Sequence, residues 1–240
     1  MEQLYGVNGL IFWTEREINA RKIVEAHLVQ AMKDSLKKMN RAWEFIQVEA
    51  PIITPQEFVN KNYSINDMWA FEYERISHHD AHNITGHQTT YIARPETTMG
   101  SYEYAKHLLN PHNETKVRMP LVVWQHGKSF RREQDQPTKF MRLKEFYQLE
   151  FQCIYGLTTQ MDYAATLKMD MVRAMEQLVG DCSLVRSDRL PDYSEETVDI
   201  EHKDSTMELC SISKRRDFEG AKVLEVAVGT DRVVSKFLGL

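Results

Sequence analysis

The stretch SFRREQDQPTKFMRLKEFYQLEFQ, residues 129–152, decides how this chain is read. Two apolar-rich runs, LVVWQHGKSFRRE and LKEFYQLEFQCIYG, enclose the polar segment 134–139. The pattern predicts two antiparallel strands joined by a loop. Side chains alternate across a strand, so Arg131 and Glu133 share a face, as do residues 142, 144 and 146. Neighbouring strands can then aim Arg131, Glu133, Arg142 and Phe146 from one side of the sheet. These side chains suit a nucleotide. Guanidinium forks hold phosphate oxygens, an aromatic or guanidinium face carries a purine, and a carboxylate accepts from an exocyclic amine.

The composition around this stretch is that of a globular protein. Of 240 residues, 42% are hydrophobic and 27% charged, with only 10 Gly and 7 Pro, which allows a large core. The net charge of −5 disfavours a protein that binds nucleic acid through bulk positive charge. Cys153, Cys182 and Cys210 are odd in number and widely spaced, as expected of reduced thiols in a cytosolic protein. No apolar run approaches a membrane span, and the N-terminus lacks signal-peptide features.

Periodicity outlines the remaining elements. Apolar steps of three and four residues from Ile23 to Met39 predict a long amphipathic helix, and Tyr163, Leu167, Met171, Ala174 and Leu178 mark a second over 162–179. WEFIQVEAPIITP reads as a strand redirected by Pro51 and Pro55. TTYIARPETTMG reads as a strand ending at Pro95, SYEYAKHLLN as a short helix, KVLEVAVG as an apolar strand and TDRVVSKFLGL as a closing helix. Residues 60–87 read as short strands and loop. Elements in this order imply an α/β (α+β) fold, an antiparallel sheet flanked by helices, rather than alternating βα units.

Three segments together carry a resemblance. FRRE…RLKEF resembles motif 2 of the class II aminoacyl-tRNA synthetases. VEAPIITP, following a long helix, resembles motif 1, and LEVAVGTDRVVSKFL resembles motif 3. Their order is that of the class, and they span most of the chain. Within the class the nearest resemblance is to glycyl-tRNA synthetase. IARPETTMG is similar to that family's RPETAQG segment, and RLKEFYQLEFQ to its R-x-REF-x-QAE run. MELCSISKRRDF and VLEVAVGTDR are similar to its E-C-x-G-x-A-x-R-x-x-Y and V-I-E-P-S-x-G-x-D-R segments.

The resemblance implies roles. Arg131 would hold the ATP α-phosphate and stabilise charge at the attacked phosphorus. Glu133 would accept from the adenine amine, and Arg142 would bind the γ-phosphate. Phe146 and Arg232 would enclose the adenine ring, with Arg232 also reaching the γ-phosphate. Glu225 would hold Mg²⁺. Glu96 and Glu150 would face the substrate α-ammonium, and Arg94 would take its carboxylate. Glu208 and Arg215 would support these groups, and Asp231 would orient Arg232.

Two departures shape the expected substrate. Val226 and Ala227 stand where the family has Pro-Ser, and Ser211 and Ser213 stand where it has Gly and Ala. By the resemblance, the altered positions, Ser211 and Ala227, would border the amino-acid pocket. The expectation is a small amino acid, glycine first, with alanine and serine as alternatives. The chain would act as a single catalytic domain over 1–240 without an anticodon-binding domain. It would be a cytoplasmic homodimer with no membrane association. It would charge the 3′ end of tRNA or pass the activated amino acid to another acceptor; a non-catalytic relative is the further alternative. The run HHDAH, residues 78–82, matches no standard zinc spacing and reads as a polar loop. SKRRDF reads either as a solvated face or as a contact for RNA phosphate.

Overall fold

The computed structural model describes residues 5–7, 9–59, 65–71, 90–110, 112, 117–132 and 140–240. The chain opens with β1 (Tyr5–Val7) and β2 (Leu10–Ile11), an antiparallel pair, followed by the long helix α1 (Glu15–Met39). Then come β3 (Glu44–Gln47), β4 (Ile53–Pro55), β5 (Trp69–Ala70), β6 (Tyr91–Ala93) and α2 (Thr98–Leu109). The central hairpin is β7 (Leu121–Phe130) and β8 (Glu145–Gly156), followed by α3 (Tyr163–Val179). The C-terminal part runs through β9 (Cys182–Arg186), β10 (Ser194–His202), β11 (Met207–Arg215), β12 (Ala221–Gly229) and α4 (Thr230–Phe237).

Seven strands form the main sheet in the order β3-β7-β8-β12-β11-β10-β9. Every neighbouring pair is antiparallel except β3 with β7 at one edge. The expected antiparallel sheet flanked by helices is therefore present. A smaller sheet, β4-β6-β5, lies apart from it in the pairing.

The two faces of the main sheet have opposite chemistry. One carries Val122 and Trp124 of β7, Leu149, Phe151 and Cys153 of β8, and Leu224, Val226 and Val228 of β12, all buried. Val24, Leu28, Met32 and Leu36 of α1 and Leu167, Met171 and Met175 of α3 belong to the same core. Complete burial of one such side chain is worth about 1.5–3 kcal/mol relative to exposure. The other face is apolar only at one end, where Tyr102, Ala105 and Leu108 of α2 cluster with Leu121, Val123, Ile154 and Val223. The rest of it is polar.

Helix termini follow local chemistry. Glu17 accepts from the Thr14 backbone N–H at 3.0 Å, satisfying one donor ahead of α1. Asp162 caps α3 through the Ala165 N–H, and Gly180 ends that helix at a φ of 85°.

Three expectations change. The second strand of the hairpin begins at Glu145, so Arg142 is not on it. Phe140 and Arg142 both have left-handed φ values of 62° and 56°, and buried Phe140 and Leu143 hold the turn against the protein. Strand alternation therefore does not extend back to Arg142. Ile23, assigned to the buried face of α1, is 54% exposed. Strands β9 and β10 had not been anticipated. The greater part of the 60–87 segment, including HHDAH, lies outside the described residues, as does Glu133.

Candidate active site

Register places the polar face in rows. Gln125, Glu150 and Ala227 pair across β7, β8 and β12, and Ser211 and Asp199 extend the row across β11 and β10. The next row holds Gln152, Glu225, Ser213 and Thr197. The alternation is plain in β8, where Gln148, Glu150 and Gln152 point opposite to Leu149 and Phe151.

Glu150 lies at the centre, 1% exposed. Its carboxyl accepts from the hydroxyl of Thr97 at 2.5 Å and from that of Thr98, both at the start of α2. Burial pushes this carboxyl up to about 8; neighbouring Glu225 and Glu96 add to the shift, and the two hydroxyls oppose it. Expected partners Glu96 and Glu150 are thus close enough to repel. Glu225 joins them, although the sequence reading had given it a different role.

Glu225 is held by a built network. Its Oε2 accepts from Arg215 Nη1 at 2.5 Å and from Gln152 Nε2 at 3.1 Å. Arg215 also forks onto Asp217 through Nε at 2.9 Å and Nη2 at 2.7 Å. The guanidinium carbon lies 4.0 Å from the ring centroids of both Tyr102 and Tyr193. The Tyr102 hydroxyl donates to Asp217 at 2.8 Å. Burial works against the charge on Arg215, but Glu225 and Asp217 overcome it and hold the group firmly protonated. Within SKRRDF, Arg215 is internal, Lys214 pairs with Glu196 at 2.9 Å, and exposed Arg216 donates to the Asp192 carbonyl.

Arg131 and Phe146 adjoin as the hairpin reading expected. The Arg131 guanidinium carbon lies 5.1 Å from the Phe146 ring centroid, and Nε donates to the Pro95 carbonyl at 3.1 Å. Arg232, in the first turn of α4, donates to the Glu208 carbonyl at 2.9 Å and meets its carboxylate at 3.3 Å. Glu208 is therefore the acid that orients Arg232. Asp231, expected in that role, instead accepts from the Tyr147 backbone N–H at 3.0 Å and fastens α4 to β8. Burial raises the Asp231 carboxyl to about 7, against that hydrogen bond and the charges of Arg21 and Lys128.

Arg94 requires a correction. Its Nε donates to the Lys128 carbonyl at 2.8 Å, and its Nη1 to the Ala50 carbonyl at 2.7 Å and to Gln125 Oε1 at 3.2 Å. Its Nη2 packs over Gly127, where an added Cβ would overlap it. The side chain is spent tying the segment after β3 to β7, so it is a framework group rather than a clamp for a substrate carboxylate. The short-range RPET pattern could not reveal this, because the partners are distant backbone carbonyls.

Among the described residues no group of three or more His, Cys, Asp or Glu side chains is arranged to hold a metal ion. A Mg²⁺ carried on phosphate oxygens needs only one or two carboxylates. Glu225 fits that demand through Oε1, its hydrogen bonds among the described residues falling on Oε2. Among the same residues no helix is long and apolar enough to cross a membrane.

No protein-family model matches the chain. It is 32% identical over 139 residues to glycine--tRNA ligases of Staphylococcus aureus strains JH9 and Newman. That match covers 55% of this chain and 29% of each relative, so the chain spans less than a third of their length. Among solved structures it is similar to prolyl-tRNA synthetase from Cryptosporidium parvum complexed with halofuginone and AMPPNP. The TM-score is 0.71 at 13% identity, covering 97% of this chain and 48% of that one. It is also similar to Giardia lamblia prolyl-tRNA synthetase in complex with prolyl-adenylate. There the TM-score is 0.67 at 14% identity, covering 98% and 50%.

Proposed function

We propose that this chain, which has the fold of a class II aminoacyl-tRNA synthetase catalytic core, activates a small amino acid with ATP and delivers it to the 3′ end of tRNA. The observation that carries the reading is Glu150, a buried carboxyl whose hydrogen bonds among the described residues come from the Thr97 and Thr98 hydroxyls, set beside Glu96 and Glu225. Burial makes its ionised form costly; the Arg94 charge acts on it from a side chain bonded to backbone carbonyls, and an arriving α-ammonium would pair with it directly. Glycine leads the substrate choices by resemblance, with alanine and serine next.

In this reading the substrate carboxylate attacks the α-phosphorus of ATP. A new P–O bond forms as the bond to pyrophosphate breaks. Arg131 stabilises charge gathering at the α-phosphate. Phe146 and Arg232 enclose the adenine, Glu133 accepts from its amine, and Arg142 meets the γ-phosphate. Mg²⁺ would be held by Glu225 and, when bound, would supply neutralisation of negative charge on the phosphates.

Homodimerisation belongs to the same reading. Ile52, Ile53, Phe58 and Tyr104 are each 41–52% exposed along the segment resembling motif 1 and the adjoining α2. Ile53, Phe58 and Tyr104 border a pocket of about 530 Å³ with Pro51 and Glu49. A second copy would cover this face. Sedimentation at micromolar concentration tests the dimer; a monomer would count against it.

The activity is tested by amino-acid-dependent ATP–pyrophosphate exchange across the twenty amino acids, followed by tRNA charging. Exchange with charging supports the proposal. Exchange without charging transfers the acceptor role to another molecule, and absence of exchange with every amino acid overturns the reading.

A further inference from the structure

Asp199 belongs to the row that contains Glu150, yet nothing in the adenylation chemistry uses it. It is 7% exposed and pairs in register with Ser211, which pairs with Ala227, which pairs with Glu150. Its carboxyl faces the hydroxyls of Ser187 and Ser211. The other charges acting on it, Glu208 and Asp188, are of its own sign. A buried carboxyl without a cation is expensive, so its neighbours turn their hydrogens toward it.

That orientation changes what Ser211 offers. A hydroxyl has one proton and two lone pairs. With its proton directed to Asp199, Ser211 presents only acceptor capacity to the half-buried floor formed with Ala227. Ala227 itself brings no polar atom and leaves room beside the α-carbon. Neighbouring strands are about 4.8 Å apart, so Ser211 lies about 10 Å across the sheet from Glu150. That span fits a short side chain pointing away from an ammonium held at Glu150.

We infer that Asp199 is a positioning residue that fixes Ser211 as an acceptor, so that the pocket selects an amino acid with a short side chain ending in a hydrogen-bond donor. The inference rests on the adenylation reading and moves the choice within the small amino acids away from glycine and alanine.

Alanine and serine differ by one hydroxyl and provide the test. Pyrophosphate exchange is measured with the full chain for both, and the serine-to-alanine ratio of kcat/KM is compared across variants. In the unsubstituted protein the ratio should be about tenfold or more, carried mainly by KM. In Ser211→Ala and in Asp199→Asn it should fall to within about threefold of unity, whereas Ser211→Thr, which keeps the hydroxyl, should retain it. Each ratio is internal to one variant, so partial loss of folded protein does not alter it. Exchange without serine preference, or a preference that survives Ser211→Ala, overturns this inference alone. Absence of exchange with any amino acid overturns the adenylation reading as well.

Discussion

Arg215 Nη1 lies 2.5 Å from Glu225 Oε2, with the two side chains 4% and 7% exposed. The pair joins β11 to β12 on the polar face, with the Arg215 guanidinium against the Tyr102 and Tyr193 rings. Removing one member of a buried pair typically costs about 3–5 kcal/mol, because the other charge is left uncompensated. Arg215→Met should therefore destabilise the chain by about that amount in urea titration. Arg215→Met with Glu225→Gln should recover part of the loss. Equal midpoints for the single and double variants would deny the coupling.

Arg131 has a different balance. It is half-buried against the Phe146 ring and the Pro95 carbonyl, so its removal should shift the urea midpoint less than removal of the buried Arg215. Loss of a group that stabilises transition-state charge typically costs about 10²–10³ in rate. Arg131→Ala should lower pyrophosphate exchange by that factor. Arg131→Lys should restore little, since a point charge does not reproduce the planar fork. An unchanged rate in Arg131→Ala would remove this residue from the phosphate site.

Glu150 links binding to pH. With its carboxyl near 8, the free protein carries a proton there at pH 7. Seating an ammonium against it should expel that proton. Amino-acid KM should therefore fall as pH rises toward 8, and calorimetry in buffers of different ionisation enthalpy should register proton release at pH 7.

The same group makes stability fall with pH. Its folded value lies above the ordinary 4.5, so its contribution is fully present below about pH 4.5 and is lost as pH rises through about 8. Glu150→Gln should gain on the unsubstituted protein by up to about 5 kcal/mol at pH 9 and show no such gain at pH 4. A constant difference across that range in urea titrations would mean that Glu150 does not titrate there.

Gly127 is required by Arg94 rather than by its own backbone. Gly127→Ala would force Arg94 Nη2 away from its packing position. The expected loss is about 1–3 kcal/mol, as for other overpacked interiors. Crowding at this point would also disturb the carbonyl contacts to Ala50 and Lys128, so exchange activity should fall with stability. A urea midpoint equal to the parent's would show that the site tolerates the methyl group.

Much of this was legible in local sequence. The QLEFQ alternation in β8 announces one polar and one apolar face, and the periodicity of α1 and α3 names their buried sides. Arg131 beside Phe146 follows from hairpin pairing. What local sequence did not carry was register between distant strands. Asp199, Tyr102, Tyr193 and Thr97 reach the site through pairings and packing that no short window contains. Arg94 was misread for the same reason. Arg142 was misplaced because a left-handed turn interrupts the period just before Glu145. Strands β9 and β10 were missed because SLVRSDRLPDYSEETVDI mixes charge and Pro with its apolar residues, weakening the two-residue period.

The seam between β8 and β12 has a consequence for how the molecule comes into being. Arg94, Glu96, Arg131 and Glu150 precede α3, whereas Ser211, Arg215, Glu225 and Arg232 lie in the β9-to-α4 unit that follows it. The two groups meet along nine residue pairs, from Ala221 with Gly156 to Gly229 with Gln148. The hairpin and the C-terminal meander can each begin from contacts near in sequence, but the seam must wait for them to find one another. Assembly of the polar face is thus a late product of folding, and it cannot begin until a ribosome has made β12.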